Sequence, residues 1–207
     1  MRATLIRLHR AGVAVLVPAA VFLQWHAYSN SAFVMAISAW LLFISGLALG
    51  LPALPRGFAS RLAILALLGL TALTAISFLW APDLGLVVAD LTGLLLYSGF
   101  ALAATSALDN PMTRSAVEPL VWLTIVVAAG YGLSERFFPG AFTLEHSKIA
   151  FGRLSQPLGY WNAMGVLCGL GVVIGTRLAA DPRRSVLLRC AAAVSSPILM
   201  AALWLTF

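Results

Sequence analysis

The sequence predicts an all-α protein, a polytopic transmembrane helix bundle of about seven spans with its N-terminus in the cytoplasm. Three observations predict it. Apolar residues make up 61% of the 207 and charged residues only 10%, too few polar groups to cover a surface that faces water. Between Arg10 and Arg56 there is no charged residue, a run too long for one helix across a hydrocarbon core that takes about 20 residues. Sorted by the loops that seven spans create, ten basic residues fall on one side and three on the other, and the richer side of such a partition faces the cytoplasm.

The elements follow in order. The charge-free run holds two helices, about Ala11 to Gln24 with Pro18 inside and Ala32 to Leu51, parted where Trp25 to Ser31 gathers polar groups and interfacial aromatics. The basic start followed by an apolar run imitates a signal peptide. No convincing small-residue cleavage site follows it, however, so a retained first helix is expected. Pro52, Pro55, Arg56, Gly57 and Arg61 form the next turn, and helix three runs from Leu62 to Trp80. Ala81-Pro82-Asp83 stops it. Helix four, Leu84 to Leu108, carries Asp90 and ends at Asp109-Asn110-Pro111; helix five spans Val117 to Ser134, with Pro119 in its first turn, where a missing N–H costs little. A polar connection, 135–161, separates it from helix six, Asn162 to Gly175, and Asp181-Pro182-Arg183-Arg184 turns the chain into helix seven, Val186 to Phe207. The whole reads as one transmembrane domain.

On this topology the inside holds Arg2, Arg7, Arg10, Arg56, Arg61, Arg114, Arg177, Arg183, Arg184 and Arg189, and the outside Arg136, Lys148 and Arg153. The 135–161 loop is therefore extracytoplasmic. A net charge of +6 scattered between apolar runs lacks the clustered basic face that nucleic acid requires, so that class of partner is excluded. Cys168 and Cys190 lie inside apolar runs with no metal or disulfide spacing and read as packing residues. Small residues four apart, Gly165/Gly169 and Gly171/Gly175 in helix six and Gly46/Gly50 in helix two, allow close helix approach.

The stretch with chemistry in it is Arg153-Leu-Ser-Gln-Pro-Leu-Gly-Tyr-Trp-Asn162. Arginine presents a permanent charge and a planar fork of donors that grips phosphate through two bonds. Pro157 and Gly159 turn the backbone, and Asn162 is a favoured N-cap for a helix whose N–H groups and positive dipole end attract anions. Arg153, Gly159 and Asn162 are thus candidate binding residues for a diphosphate whose lipid tail lies along the bundle. The alternative is an arginine snorkelling to ordinary lipid phosphates beside an aromatic belt of Tyr160 and Trp161. Asp90, costly inside a span unless it faces a cavity or partner, and His146, a general base or a solvated loop histidine, are weaker candidates. Glu118 beside Pro119 is expected to complement a helix N-terminus, and Glu135 and Arg136 to form a solvated pair.

Gly152-Arg153-Leu154-Ser155-Gln156-Pro157-Leu158-Gly159-Tyr160-Trp161-Asn162-Ala163-Met164-Gly165 resembles the signature of the O-antigen ligase and polymerase superfamily of bacterial membrane proteins, approximately Arg-x-x-Gly-Pro-x-Gly-x-x-Asn-Ala. The agreement falls on Arg153, Pro157, Gly159, Asn162 and Ala163; Gln156 replaces the usual glycine and Tyr160-Trp161 the frequent Asn-Pro. The resemblance implies a glycan transferase that moves a saccharide from a polyprenyl (undecaprenyl) diphosphate carrier to an acceptor at the outer face of the bacterial cytoplasmic membrane, with no cofactor and no metal. It implies that Arg153 holds the diphosphate, and that this chain is the N-terminal, donor-binding part of a longer protein. The family's acceptor-activating histidine lies on a large external loop that would follow residue 207, so His146 does not inherit that role, and no catalytic residue is assigned. A transporter or flippase for an anionic or lipid-linked substrate and a non-catalytic membrane scaffold are the rival readings.

Overall fold

The computed structural model describes residues 1–22, 30–138 and 152–207, without the side chains of Asn30, Ser31 and Glu135. Seven α-helices follow one another among the described residues: α1 (Arg2–Phe22), α2 (Asn30–Ala48), α3 (Phe58–Ile76), α4 (Leu84–Leu108), α5 (Pro111–Phe137), α6 (Trp161–Ala180) and α7 (Val186–Trp204). All but α2 are long and apolar enough to cross a membrane; the fully described part of α2, Ala32–Ala48, is also apolar but shorter. Large apolar side chains such as Phe58, Leu79, Val166, Leu187 and Trp204 point outward, each more than 70% exposed. In water this surface would drive aggregation, whereas in lipid it is the solvated face. The protein is an all-helical, multi-span membrane protein.

The chain folds as two compact units, Met1–Ser115 and Ala116–Phe207, divided within α5. In the first, α4 packs against α1, α2 and α3. Its core comprises Leu16, Met35, Ala36, Ala39 and Leu96, with Val13, Ala103 and Ala107 in a second layer. Three sets of polar groups inside this unit are paired, as low dielectric favours, whereas Arg10 Nε is buried with no partner among the described residues. Trp40 Nε1 donates to the Leu95 carbonyl at 2.9 Å, Thr71 and Ser98 hydroxyls meet at 2.9 Å, and the His9 ring lies between Ser45 and Ser106. In the second unit α6 and α7 form an antiparallel pair around Ile125, Ala129, Leu133, Met164, Cys168, Leu199 and Ala202.

Several expected boundaries are corrected. Helix α1 begins at Arg2, well before Ala11, because hydropathy marks the hydrocarbon edge while the helix continues through its basic first turns. Helix α3 begins at Phe58 and closes with a 3₁₀ turn, Ser77–Leu79. Helix α5 starts at Pro111, so Pro119 lies in its interior and Pro111 takes the first-turn position, with Asn110 Oδ1 accepting from the Met112 N–H at 2.8 Å. The helix also reaches Phe137, taking the first residues of the expected 135–161 loop. Helix α6 continues past Gly175 to Ala180, and α7 ends at Trp204.

Glycine roles divide. Gly165, Gly171 and Gly175 are buried at close approaches, but a Cβ added at Gly169 would meet nothing within 4 Å among the described residues, and Gly50 lies beyond α2. There Gly50 takes φ +72°, its N–H donates to Leu47 and the Leu51 N–H donates to Gly46, the left-handed helix stop that glycine favours. Cys168 is buried as expected; Cys190 is exposed and packs into no core.

Candidate functional site

The Arg153 segment is folded into the second unit. Its two flanking glycines, Gly152 (φ +79°) and Gly159 (φ +72°), take left-handed conformations that cost residues with a Cβ. Between them Leu154 and Ser155 are buried, and Pro157 lies after a cis peptide bond with its ring fully buried. Three contacts hold the segment. The Leu154 N–H donates to the Leu205 carbonyl at 2.8 Å. Arg136 Nη2 donates to the Gly152 carbonyl. The Gln156 carbonyl rests on α5 at Gly132, where an added Cβ would sit 2.5 Å from the oxygen.

This anchoring presents Arg153 at the start of α6. Its guanidinium carbon lies 5.3 Å from the centre of the Trp161 ring, within the range of a cation–π contact. Tyr160 stacks obliquely on Trp161, with ring centres 5.0 Å apart. Arg153 has no carboxylate partner among the described residues. Asn162 corrects an expectation. The residue preceding α6 is Tyr160, no side chain among the described residues caps the helix, and Asn162 Nδ2 donates instead to the Tyr160 hydroxyl at 2.7 Å. Among the described residues the first-turn N–H groups therefore have no side-chain acceptor, a partial positive charge one step from a full one. Beside them Asn162, Gly165, Val166, Leu203, Thr206 and Phe207 line an open recess of about 400 Å³. Thr206 is buried, and an added Cβ on Gly165 would fall 2.8 Å from its hydroxyl oxygen.

No family model, curated protein or solved structure matches the chain. The chemistry of the site therefore rests on its own residues.

Of the five candidates, Arg153, Gly159 and Asn162 lie on the one segment that leads into α6, with Arg153 over Trp161. Asp90 lies exposed on α4 in the first unit, two turns after Asp83, whose carboxylate caps that helix by accepting from Gly85 and Leu86. His146 lies outside the described residues, as does the side chain of Glu135. Arg136, expected to pair with Glu135 in solvent, is one of the three anchors of the segment.

A second constellation, unforeseen as such, gathers at the other end of the second unit. Glu118 is well inside α5, so it does not complement the N-terminus of its own helix. Its carboxylate pairs with Arg177 Nε at 3.1 Å and Arg184 Nη2 at 3.0 Å. Arg184 also reaches Asp181 at 3.6 Å, and Arg189 Nε donates to the Ala179 carbonyl at 3.0 Å. Residues that served only as topology markers in the sequence thus tie α5, α6 and α7 together. The only signal for this pairing was an acid on one apolar helix and arginines near the α6–α7 turn.

Proposed function

We propose that the chain binds the diphosphate of a polyprenyl-linked glycan at Arg153 and the first turn of α6, as the donor-binding part of an O-antigen ligase-like glycan transferase in the bacterial cytoplasmic membrane. One observation carries the reading. A guanidinium is held over Trp161 beside a helix start, and among the described residues the first has no carboxylate partner and the second no side-chain cap. Phosphate oxygens accept from both kinds of donor, and the exposed apolar surface nearby suits a prenyl tail. In the proposed reaction an acceptor hydroxyl attacks the anomeric carbon with inversion, the bond to the diphosphate breaks, and Arg153 with the α6 N–H groups stabilises the departing anion. The acceptor-activating base is assigned to no residue here.

The test is polyprenyl diphosphate binding to the chain in nanodiscs, comparing wild type with Arg153→Ala and Arg153→Lys. Losing a charge-assisted contact should cost about 1.5–3 kcal/mol, only partly restored by lysine, which lacks the planar fork. Equal binding by all three proteins would leave Arg153 as a headgroup anchor and sink the donor-site reading in favour of a scaffold or transporter.

A further inference from the structure

The first unit carries a cavity of about 560 Å³ between the α2–α3 turn, the first turns of α3, the end of α4 and the start of α5. It shares no residue with the Arg153 segment. Its wall is apolar at Ile64 and Ala104, and Arg56 and Arg114 supply its positive charge. Arg56 pairs with Asp109, yet its side chain is 79% exposed and a guanidinium has about five N–H donors, so one carboxylate leaves several free. Arg114 gives Nη2 to the Leu108 carbonyl at 3.1 Å, and its other donors meet no partner among the described residues. Two guanidiniums against one carboxylate leave a positive surplus. Arg61, whose Nε donates to the wall carbonyl of Pro55 at 2.7 Å, adds to it. Ser60 contributes a hydroxyl to the same wall.

We propose that this cavity binds the phosphodiester headgroup of an anionic phospholipid, with one acyl chain lying along Ile64 and Ala104. The positive-inside count assigns this end of the helices to the cytoplasmic leaflet, and a basic pocket between spans on that side suits an anionic headgroup. A zwitterionic lipid brings its own cation and gains less from the surplus.

The experiment is native mass spectrometry of the full chain in detergent, counting retained phosphatidylglycerol against phosphatidylcholine. Wild type should retain phosphatidylglycerol preferentially. Arg56→Gln/Arg114→Gln should cut that preference about fivefold per arginine removed. Ala63→Phe, which leaves the charge intact and places a ring at an exposed wall position, should also reduce it. Asp109→Asn should preserve or raise it. An undiminished preference in Ala63→Phe overturns the proposal, because attraction would then be a property of surface charge and not of the cavity; this arm stands even where the arginine variants fail to fold. Displacement of phosphatidylglycerol by millimolar inorganic phosphate also overturns it, in favour of a free-phosphate site.

Discussion

Arg184 donates through Nη2 to the Glu118 carboxylate at 3.0 Å, with the two side chains only 18% and 19% exposed. The pair joins the α6–α7 turn to α5 across 66 residues of sequence. Removing one partner of such a pair strands the other in low dielectric. Glu118→Gln should therefore lower stability by about 3–4 kcal/mol, the lower part of the range for breaking a buried pair. Arg177, which shares the carboxylate with its side chain 74% exposed, should cost less than about 1 kcal/mol when changed to glutamine. Thermal unfolding of the two variants in detergent decides this; equal losses would show that burial does not set the strength of the network.

The seating of the Arg153 segment depends on the missing side chain at Gly132. Gly132→Ala places a methyl 2.5 Å from the Gln156 carbonyl oxygen, so it should destabilise by about 1–3 kcal/mol and expose the segment to protease. A Cβ added at Gly130 meets nothing within 4 Å among the described residues, and Gly130→Ala should be neutral or stabilising by up to about 1 kcal/mol through helix propensity. Similar protease sensitivity in the two variants would show that the segment does not rest on Gly132.

His9 predicts an inverted order of damage. Its Nδ1 lies 3.0 Å from Ser45 and its Nε2 2.9 Å from Ser106, and each serine hydroxyl also reaches a carbonyl of its own helix, Leu42 or Ala103. Removing the serines leaves two buried ring nitrogens without those partners, whereas removing the imidazole leaves both hydroxyls bonded. Ser45→Ala/Ser106→Ala should thus cost more than His9→Leu, and adding His9→Leu to the serine pair should recover about 1–3 kcal/mol of the desolvation penalty. A double-mutant cycle on unfolding midpoints reads the coupling, and strictly additive losses would refute it.

Trp161 bears on the proposed donor site without removing its charge. Trp161→Leu should weaken polyprenyl diphosphate binding by about 0.5–2 kcal/mol, the worth of a cation–π contact, leaving the unfolding midpoint within a few degrees. Unchanged affinity would mean that the ring does not position Arg153 for its ligand.

What could be read from the sequence was what neighbouring residues determine. Asp83 before an apolar run and Asp109-Asn110-Pro111 after it set both ends of α4 where expected, and Ser185, accepting from the Leu188 N–H, starts α7 at Val186 as expected. Where charged residues continue a helix beyond the hydrocarbon, as at Arg2 and Arg136, hydropathy placed the boundary too far inward. Arg153 and the turning glycine at Gly159 could be read from the motif. Their support could not, because Gly132 in an apolar helix looks like any other small residue until the Gln156 carbonyl is set upon it. The capping role expected of Asn162 failed for a local reason: its amide finds the Tyr160 hydroxyl instead.

The bond from the Leu154 N–H to the Leu205 carbonyl also bears on biogenesis. A chain threaded into the bilayer from its N-terminus delivers Leu154 before its acceptor has been synthesised. Until the far end of α7 arrives, that N–H must be satisfied by water or by the translocation machinery. The geometry around Arg153 is therefore completed late, after the last helix described here has entered the membrane. An anionic ligand that needs this geometry meets a finished site only once insertion has reached that point.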